Sequence, residues 1–413
     1  MKRIGLIIVI ILLIASTALA KDESAAFDFV IGLTQQNMEM DWWFAIPSQF
    51  GPMVSKVESV SKGEYFNILP IFNNYGADKD GIAKITYMVL IIKPDNTRYQ
   101  QIEDLNGYSG KITGPHLLPA KERLTVCFEP EDMFGEYIIK IEAFDWIKNQ
   151  RVEKKVKINL KEFELPELNK GDMEWIFSYP SKPESRKAIT AFLSPPRPYI
   201  NKDGSIVWSA LWFYKYVIEE NDFLSPQIIE FFNKKATEQQ KKDIILLFHL
   251  SNKTKELGLK EDLKQYRQGL NKIKIPDPYT EITTGDQLDM LWAEFFATGR
   301  VKPVRQIISS FKLSKFIGTL EKVKNKKLDI NSDDVKQQAM LEAVFRSAMW
   351  SLGSNCFQSS LLFQYCVGLY QSDKLNVLEK KYLKAIIQQV SEEKNQKVQP
   401  TKAEPEISAV SAQ

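Results

Sequence analysis

The sequence predicts a multidomain fold in which an N-terminal antiparallel β-sandwich is followed by a C-terminal all-α helical array. Apolar residues recur with a period of two between residues 27 and 160, and with a helical period between residues 184 and 390. Residues 161–198 contain six prolines, which interrupt both patterns. With 413 residues, 44% of them hydrophobic, the chain is long enough to bury more than one core.

The first twenty residues have the order of a secretory signal peptide. Lys2 and Arg3 precede an apolar run over residues 4–15, and the tripeptide Ala-Leu-Ala at 18–20 has the small-x-small form of a cleavage site. The run is shorter than the roughly 20 residues that a membrane-spanning helix needs. We therefore expect export to the periplasm or out of the cell, with membrane attachment only if the leader stays uncleaved.

The N-terminal part carries the alternation of half-buried strands. The clearest strand candidates are residues 66–72, 82–93, 124–128, 136–145 and 151–160. The segment Lys-Pro-Asp-Asn-Thr at 93–97 predicts a turn, because proline sets its entry dihedral, and so joins 82–93 to the following residues as a hairpin. Some seven or eight short strands in about 130 residues predict an immunoglobulin-like sandwich.

Residues 131–140, Glu-Asp-Met-Phe-Gly-Glu-Tyr-Ile-Ile-Lys, together with Asp145, resemble the penultimate strands of bacterial extracellular immunoglobulin-like domains. The resemblance covers a few strands. It implies a spacer or a ligand-binding module.

Residues 285–311 form the clearest helical pattern. Five apolar residues fall at i, i+3, i+4, i+7 and i+8, which is one continuous stripe: Leu288, Leu291, Trp292, Phe295 and Phe296. Asp286 or Thr284 is placed to cap this helix, and Gly299 to end it in a left-handed conformation. A later helix opens at Ser332, and we expect it to end at Gly353.

About ten such helices with short connections predict a degenerate α-solenoid or a bundle. The segments 288–299 (LDMLWAEFFATG), 304–308 (VRQII) and 348–355 (AMWSLGSN) resemble a group of uncharacterised secreted bacterial proteins. That resemblance implies the helical-repeat-like architecture and no particular activity.

These patterns divide the chain into five segments. We predict a signal peptide over 1–20, an immunoglobulin-like sandwich over 27–162 and a proline-rich linker with the first helix over 163–203. A helical-repeat-like domain covers 204–391, and a polar, proline-containing disordered tail covers 392–413.

Composition excludes several classes of function. The formal charge of +3 includes the two leader cations, so the mature chain is nearly neutral and has no nucleic-acid signature. The only histidines are His116 and His249, and the HExxH, CxxC, phosphate-loop and GxSxG patterns are absent. We therefore predict no metal and no cofactor.

Three cysteines are too few for a disulfide-stapled fold. Cys356 and Cys366 are the one plausible pair, but on a single helix about 15 Å of rise would separate them, so a bridge requires a turn between them. The other interpretation is that these two, like Cys127, are buried unreactive thiols.

Two sets of residues are candidates for a site. Trp42 and Trp43 are neighbours in an extended segment, so their rings point to opposite sides and both cannot enter one core. We expect one of them either to stack on a ligand or to pack at the contact between the domains. Asp286, Asp289 and Glu294 cluster on one helix and could supply acid and base to a glycosidic hydrolysis. Their alternative role is helix capping, since negative charge in a first turn is stabilised by the helix dipole.

The leading functional hypothesis is a non-catalytic exported bacterial protein that binds another protein of the envelope or the exterior. The alternative is a carboxylate-dependent hydrolase of cell-wall or extracellular polysaccharide. A third possibility is a self-assembling surface-layer or matrix component.

Overall fold

The structure is a computed structural model that describes residues 25–36, 54–112, 117–168, 175–194, 199–201, 205–273 and 275–398, without the side chains of 262 and 395–398. Its N-terminal part is built of strands and its C-terminal part of helices, as the change of period predicts. The described residues include no helix with the length and apolar character needed to cross a membrane.

The described ranges of the N-terminal part contain nine strands. They are β1 (Asp28–Thr34), β2 (Ser59–Val60), β3 (Tyr65–Asn73), β4 (Ile82–Ile92), β5 (Arg98–Lys111), β6 (Leu118–Pro119), β7 (Leu124–Cys127), β8 (Gly135–Asp145) and β9 (Gln150–Leu160).

The strands belong to two sheets. One has the order β1-β3-β6, with β7 also pairing with β3, and the other has the order β2-β9-β8-β4-β5. All described strand pairings are antiparallel except that of β2 with β9. The predicted turn is confirmed, because the Lys93 amide donates to the Thr97 carbonyl over 2.8 Å where β4 passes into β5.

Both sheets contribute side chains to one apolar core. Phe72 of β3 contacts Tyr87 of β4 with ring centroids 6.3 Å apart, and Phe128, which follows β7, contacts Tyr137 of β8 at 4.4 Å. Along β4 the residues alternate between buried and partly exposed. Strand β4 therefore turns one row of side chains to the core and the other toward solvent.

The described residues after the strands form twelve α-helices. They are α1 (Trp175–Ser178), α2 (Ser185–Leu193), α3 (Trp208–Glu220), α4 (Leu224–Lys234), α5 (Glu238–Leu250), α6 (Glu261–Leu270), α7 (Gly285–Thr298), α8 (Val301–Ser309), α9 (Thr319–Lys324), α10 (Asp333–Gln358), α11 (Ser360–Gln371) and α12 (Val377–Val398). Between them, the described part of the chain also has 3-10 helices at Thr254–Leu257 and Ser310–Phe316.

Helix α7 lies at the centre of the helical core. Gly299 ends it with φ 65°, and the Gly299 amide donates to the Phe295 carbonyl over 2.8 Å, as the sequence predicts. All but one of the residues from Gln287 to Thr298 are buried, so the helix is covered on more than its apolar stripe. Helix α3 packs along it, although about 65 residues separate the two in the chain.

The prediction that α10 ends at Gly353 is wrong. The helix continues through Gly353 to Gln358 and stops at Ser359, whose backbone is extended at φ −110° and ψ 112°. A glycine inside a helix costs only about 1 kcal/mol relative to alanine. Burial of Leu352 and Cys356 on either side of it favours continued helix.

The strands and helices meet at a small polar and aromatic junction. The Tyr65 hydroxyl of β3 donates to the Glu220 carbonyl at the end of α3, and Arg186 of α2 pairs with Glu64, which precedes β3. The rings of Phe163 and Phe223 contact each other edge to face at 6.3 Å. The apolar cores of the two parts form separate clusters on either side of this junction.

Candidate functional site

The three carboxylates that the sequence singles out all lie on α7, but they do not converge. Asp286 and Asp289 are exposed near the first turn, whereas only 2% of the Glu294 surface is exposed. An α-helix turns by roughly 100° per residue, so the Asp289 and Glu294 side chains leave α7 in directions roughly 140° apart. Asp286 and Asp289 therefore lie close together on α7, and Glu294 lies on a different side of the helix.

The start of α7 is held by a capping box. The Thr284 hydroxyl accepts from the Gln287 amide, and the Gln287 side chain accepts from the Thr284 amide. Asp286 lies in the first turn, where the helix dipole stabilises negative charge. Desolvation, and then the like charge of Asp286, raises the pKa of Asp289.

Glu294 is the acceptor for a tyrosine from the loop before α7. The Tyr279 hydroxyl donates to Glu294 Oε1 over 2.6 Å. Burial, and then the hydrogen bond and negative charge of Glu294, raises the pKa of Tyr279. Burial and the same charge also raise the pKa of Tyr216, which α3 brings to this point. Tyr279 is therefore a neutral donor to a buried carboxylate.

An ion pair lies beside these groups. Arg300, the residue before α8, contacts the Glu220 carboxylate over 2.7 Å. Burial raises the pKa of Glu220, Arg300 opposes that rise, and the charge of Glu294 adds to it. Because the Glu220 carbonyl also accepts from Tyr65, this cluster adjoins the junction with the strands.

Gln287 holds the loop that carries Tyr279. Its side-chain amide donates to the Asp277 carbonyl over 3.0 Å and to the Thr280 hydroxyl over 3.1 Å. From α8, the Gln306 amide donates to the Thr280 carbonyl over 3.0 Å. Tyr279 is therefore fixed from three sides, through its own hydroxyl and through the two glutamines.

Tyr279 also lines an open groove of about 390 Å³, which we call the cationic groove. One wall is α8 and the other is the start of α12 with the residues before it. The lining residues are Tyr279, Lys302, Arg305, Gln306, Ser309, Lys374, Leu375 and Glu379. Three of them are cationic and one is anionic, so the groove has an excess of positive charge.

The cations of the groove are held in different ways. Lys302 Nζ lies 4.0 Å from the centroid of the Tyr279 ring, which is a cation–π contact. Arg305 is exposed and makes none of the ion pairs found within the described part of the chain. The Glu379 carboxylate accepts from the Asn376 amide over 2.9 Å and so caps α12. One oxygen of the Glu379 carboxylate, which is the negative group of the groove, is therefore already hydrogen-bonded within the protein.

The predicted aromatic site belongs to the segment between the described ranges 25–36 and 54–112. Trp42 and Trp43 lie outside the residues that the structure describes. Trp208 and Trp212, both on α3, are partly buried against the helical core. Lys215 lies 4.9 Å from the Trp212 ring and 3.8 Å from the Tyr216 ring, beside the Glu294 cluster.

Within the described ranges, no three histidine, cysteine, aspartate or glutamate side chains are grouped so as to hold a metal ion. His249 is half-buried in the last turn of α5, and its pKa is lowered by burial and then by Arg267. His116 lies outside the described residues.

Sequence reasoning found Glu294 but missed the groove beside it. Lys302 and Arg305 are three residues apart on the polar side of α8, which is a signal, but one shared by ordinary solvated helices. Lys374 follows them by about 70 residues, and nothing in the sequence joins the two segments.

Comparisons with known proteins supply no further assignment. No protein-family model and no curated protein matches the chain. Among solved structures, one similar chain is a family 123 glycoside hydrolase from Clostridium perfringens, at 9% identity and a TM-score of 0.22, covering 33% of this chain and 28% of that chain. Another is AvmM, which catalyzes macrocyclization in alchivemycin A biosynthesis, at 11% identity and a TM-score of 0.17, covering 33% of this chain and 90% of that one. Likenesses this weak carry no argument about fold or function.

Proposed function

We propose that this is an exported, non-catalytic bacterial protein that binds an acidic segment of a partner protein in the cationic groove. The observation that carries the proposal is the excess of cations in an open groove whose walls are fixed by hydrogen bonds. The leader sequence supports the expected location in the envelope or outside the cell.

The groove is suited to carboxylates by the kind and the spacing of its cations. Lys302 and Arg305 are neighbours on the surface of α8, so both can face one extended ligand. A guanidinium binds a carboxylate through two parallel hydrogen bonds, and Arg305 has no competing ion pair within the described chain. Leu375 adds one apolar contact on the opposite wall. An acidic peptide with an apolar residue matches this lining.

The rigid setting supports binding as well. Tyr279 is held by Glu294, its loop by Gln287, and the loop is joined to α8 by Gln306. A site that is already ordered loses less conformational entropy when a ligand binds. In this proposal Glu294 is a positioning residue for the groove and makes no contact with the ligand.

We also propose that the two sheets form an immunoglobulin-like sandwich and that the helices form the bundle alternative of the predicted array. The shared apolar core of the two sheets supports the first proposal. The packing of α3 on α7 supports the bundle. In a solenoid each repeat contacts mainly the repeats next to it in the chain, whereas α3 and α7 are separated by three other α-helices.

The alternative function is a carboxylate-dependent hydrolase of polysaccharide that uses Asp286, Asp289 or Glu294. Glycosidic hydrolysis requires two carboxyl groups roughly 5–9.5 Å apart that flank one bond. The divergent directions of Asp289 and Glu294 on α7 therefore favour binding over hydrolysis. Release of reducing sugar from cell-wall polysaccharide, lost in Glu294→Gln, would instead support the enzyme.

The test uses a fluorescein-labelled oligo-glutamate peptide and the full mature chain, with binding followed by fluorescence anisotropy. We expect saturable binding that weakens at least about tenfold in the variant Lys302→Glu/Arg305→Glu, since 1.4 kcal/mol of lost attraction corresponds to a factor of ten. The control variant is Lys322→Glu/Lys324→Glu, which makes the same charge change on exposed residues of α9.

The proposal predicts that this control binds oligo-glutamate within about twofold of wild type. Equal weakening in both variants would show attraction by net charge alone and would overturn the groove assignment. Absence of saturable binding would overturn it as well. A labelled oligo-lysine peptide should not bind.

A further inference from the structure

Two buried thiols face each other at the break between α10 and α11. The sulfur atoms of Cys356 and Cys366 are 3.4 Å apart, and both residues are completely buried. A straight helix would separate them by about 15 Å. The extended backbone at Ser359 turns the chain between them, and the Ser359 hydroxyl caps α11 by accepting from the Leu362 amide over 3.2 Å.

We propose that Cys356 and Cys366 are a disulfide-forming pair that a small-molecule disulfide of the glutathione type oxidises. A disulfide bond is about 2.0 Å long, so the sulfur atoms must approach by little more than 1 Å, which small side-chain rotations supply. The bridge would link the end of α10 to α11 across the turn at Ser359.

The reaction is two successive thiol–disulfide exchanges. One thiolate attacks the small disulfide, forms a mixed disulfide and releases one small thiol. The second cysteine then attacks the mixed disulfide, forms the Cys356–Cys366 bond and releases the second small thiol. The protein loses two electrons and two protons, and the small disulfide is reduced to two thiols.

The third cysteine is not a competing partner in the folded chain. Cys127 lies on β7, among the strands, and its side chain is exposed, so the expectation that this thiol is buried is wrong: it lies on the side of β7 that faces away from the core. Cys356 and Cys366 both belong to the separate helical core. Oxidation of the folded protein therefore has one intramolecular product.

The groups around the two cysteines affect how fast the disulfide forms. The hydrogen bond with Cys356, and then burial, raises the pKa of Cys366, which lowers the amount of attacking thiolate. Lys394 of α12 lies 4.8 Å from the centroid of the Phe363 ring and interacts electrostatically with Cys356. We therefore expect slow oxidation of the folded chain and rapid oxidation during refolding, when small disulfides reach both sulfurs.

The experiment refolds the full mature chain from denaturant, once with excess dithiothreitol and once with a mixture of reduced and oxidised glutathione. Remaining thiols are counted under denaturing conditions with a chromogenic disulfide reagent. The chain has three cysteines, so we expect three thiols after reducing refolding and one after oxidising refolding. Peptide mapping without reduction should find residues 356 and 366 in one linked peptide that dithiothreitol separates.

Variants identify the pair. Cys127→Ser leaves the buried pair intact, and we expect its thiol count to fall from two to none. Cys356→Ser should keep both remaining thiols, apart from glutathione adducts that mass spectrometry identifies.

The proposal is overturned if the wild type keeps three thiols after oxidising refolding. It is also overturned if its linked peptides contain Cys127, or if only glutathione adducts form. Binding of oligo-glutamate is not measured here, so this result and the groove test succeed or fail separately.

Discussion

A double-mutant cycle on Tyr279 and Glu294 tests whether the buried carboxylate positions the wall of the cationic groove. The variants are Tyr279→Phe, Glu294→Gln and the two together. The hydroxyl of Tyr279 donates to Glu294 over 2.6 Å, and only 2% of the Glu294 surface is exposed. The cycle isolates this contact because Tyr279→Phe removes the donor, Glu294→Gln removes the charge of the acceptor, and both changes keep the size of the side chain.

The burial and hydrogen bonding of these two residues set the loss in the free energy of unfolding that we expect for each variant. A hydrogen bond to a charged group contributes about 1.5–3 kcal/mol to stability. Tyr279 is half-buried, so we place the loss in Tyr279→Phe at about 2 kcal/mol. Glu294→Gln keeps an acceptor oxygen and should cost about 1 kcal/mol. The double variant should lose about 2 kcal/mol, because the charge of residue 294 no longer strengthens this hydrogen bond once the Tyr279 hydroxyl is gone, which leaves a coupling energy of about 1 kcal/mol.

The assay is urea unfolding followed by tryptophan fluorescence, with the transition of the helical part compared between variants. Tyr370→Phe is the matched control, since Tyr370 is also half-buried and makes no hydrogen bond through its hydroxyl with any residue that the structure describes. We expect this control to stay within about 0.5 kcal/mol of wild type. If the loss in the double variant equals the sum of the two single losses to within about 0.5 kcal/mol, the coupling is refuted.

Two further predictions concern stability. Burial would raise the pKa of Glu342, but the Leu320 amide and the Arg346 guanidinium outweigh it and hold that pKa below the usual 4.5. A lowered folded-state pKa adds stability that is complete above the unfolded pKa and lost as pH falls through the folded one, so Glu342→Gln should flatten the fall in Tm below about pH 4.5. An unchanged acid slope would contradict this. Phe295→Ala removes a fully buried ring and should cost about 3–5 kcal/mol in urea unfolding, whereas Val377→Ala, 84% exposed, should cost less than about 0.5 kcal/mol.

Local patterns predicted much of the helical part. The cap at Thr284, the end of α7 at Gly299 and the buried stripe between them depend on residues a few positions apart, so the sequence contains the information. The same reasoning was wrong at Gly353, because a modest local preference was outweighed by the burial of Leu352 and Cys356 on either side of it in α10.

The candidate site was predicted only in part. Asp286 and Asp289 were correctly placed at a helix start, and Glu294 on the same helix. Its partner Tyr279 comes from the preceding loop, and its neighbour Tyr216 from α3. No periodicity in the sequence relates these three segments, because the pairing results from how α3 packs on α7.

By itself, the sequence determined the change from strands to helices, the hairpin turn after β4 and the boundaries of α7, since each follows from short-range sterics, hydrogen bonding and hydrophobic period. Tertiary structure decided the burial of Glu294, the meeting of Cys356 with Cys366 and the grouping of Lys302 and Arg305 with the start of α12. The physical reason is that burial and charge at a point depend on every segment that packs there, and these segments are far apart along the chain.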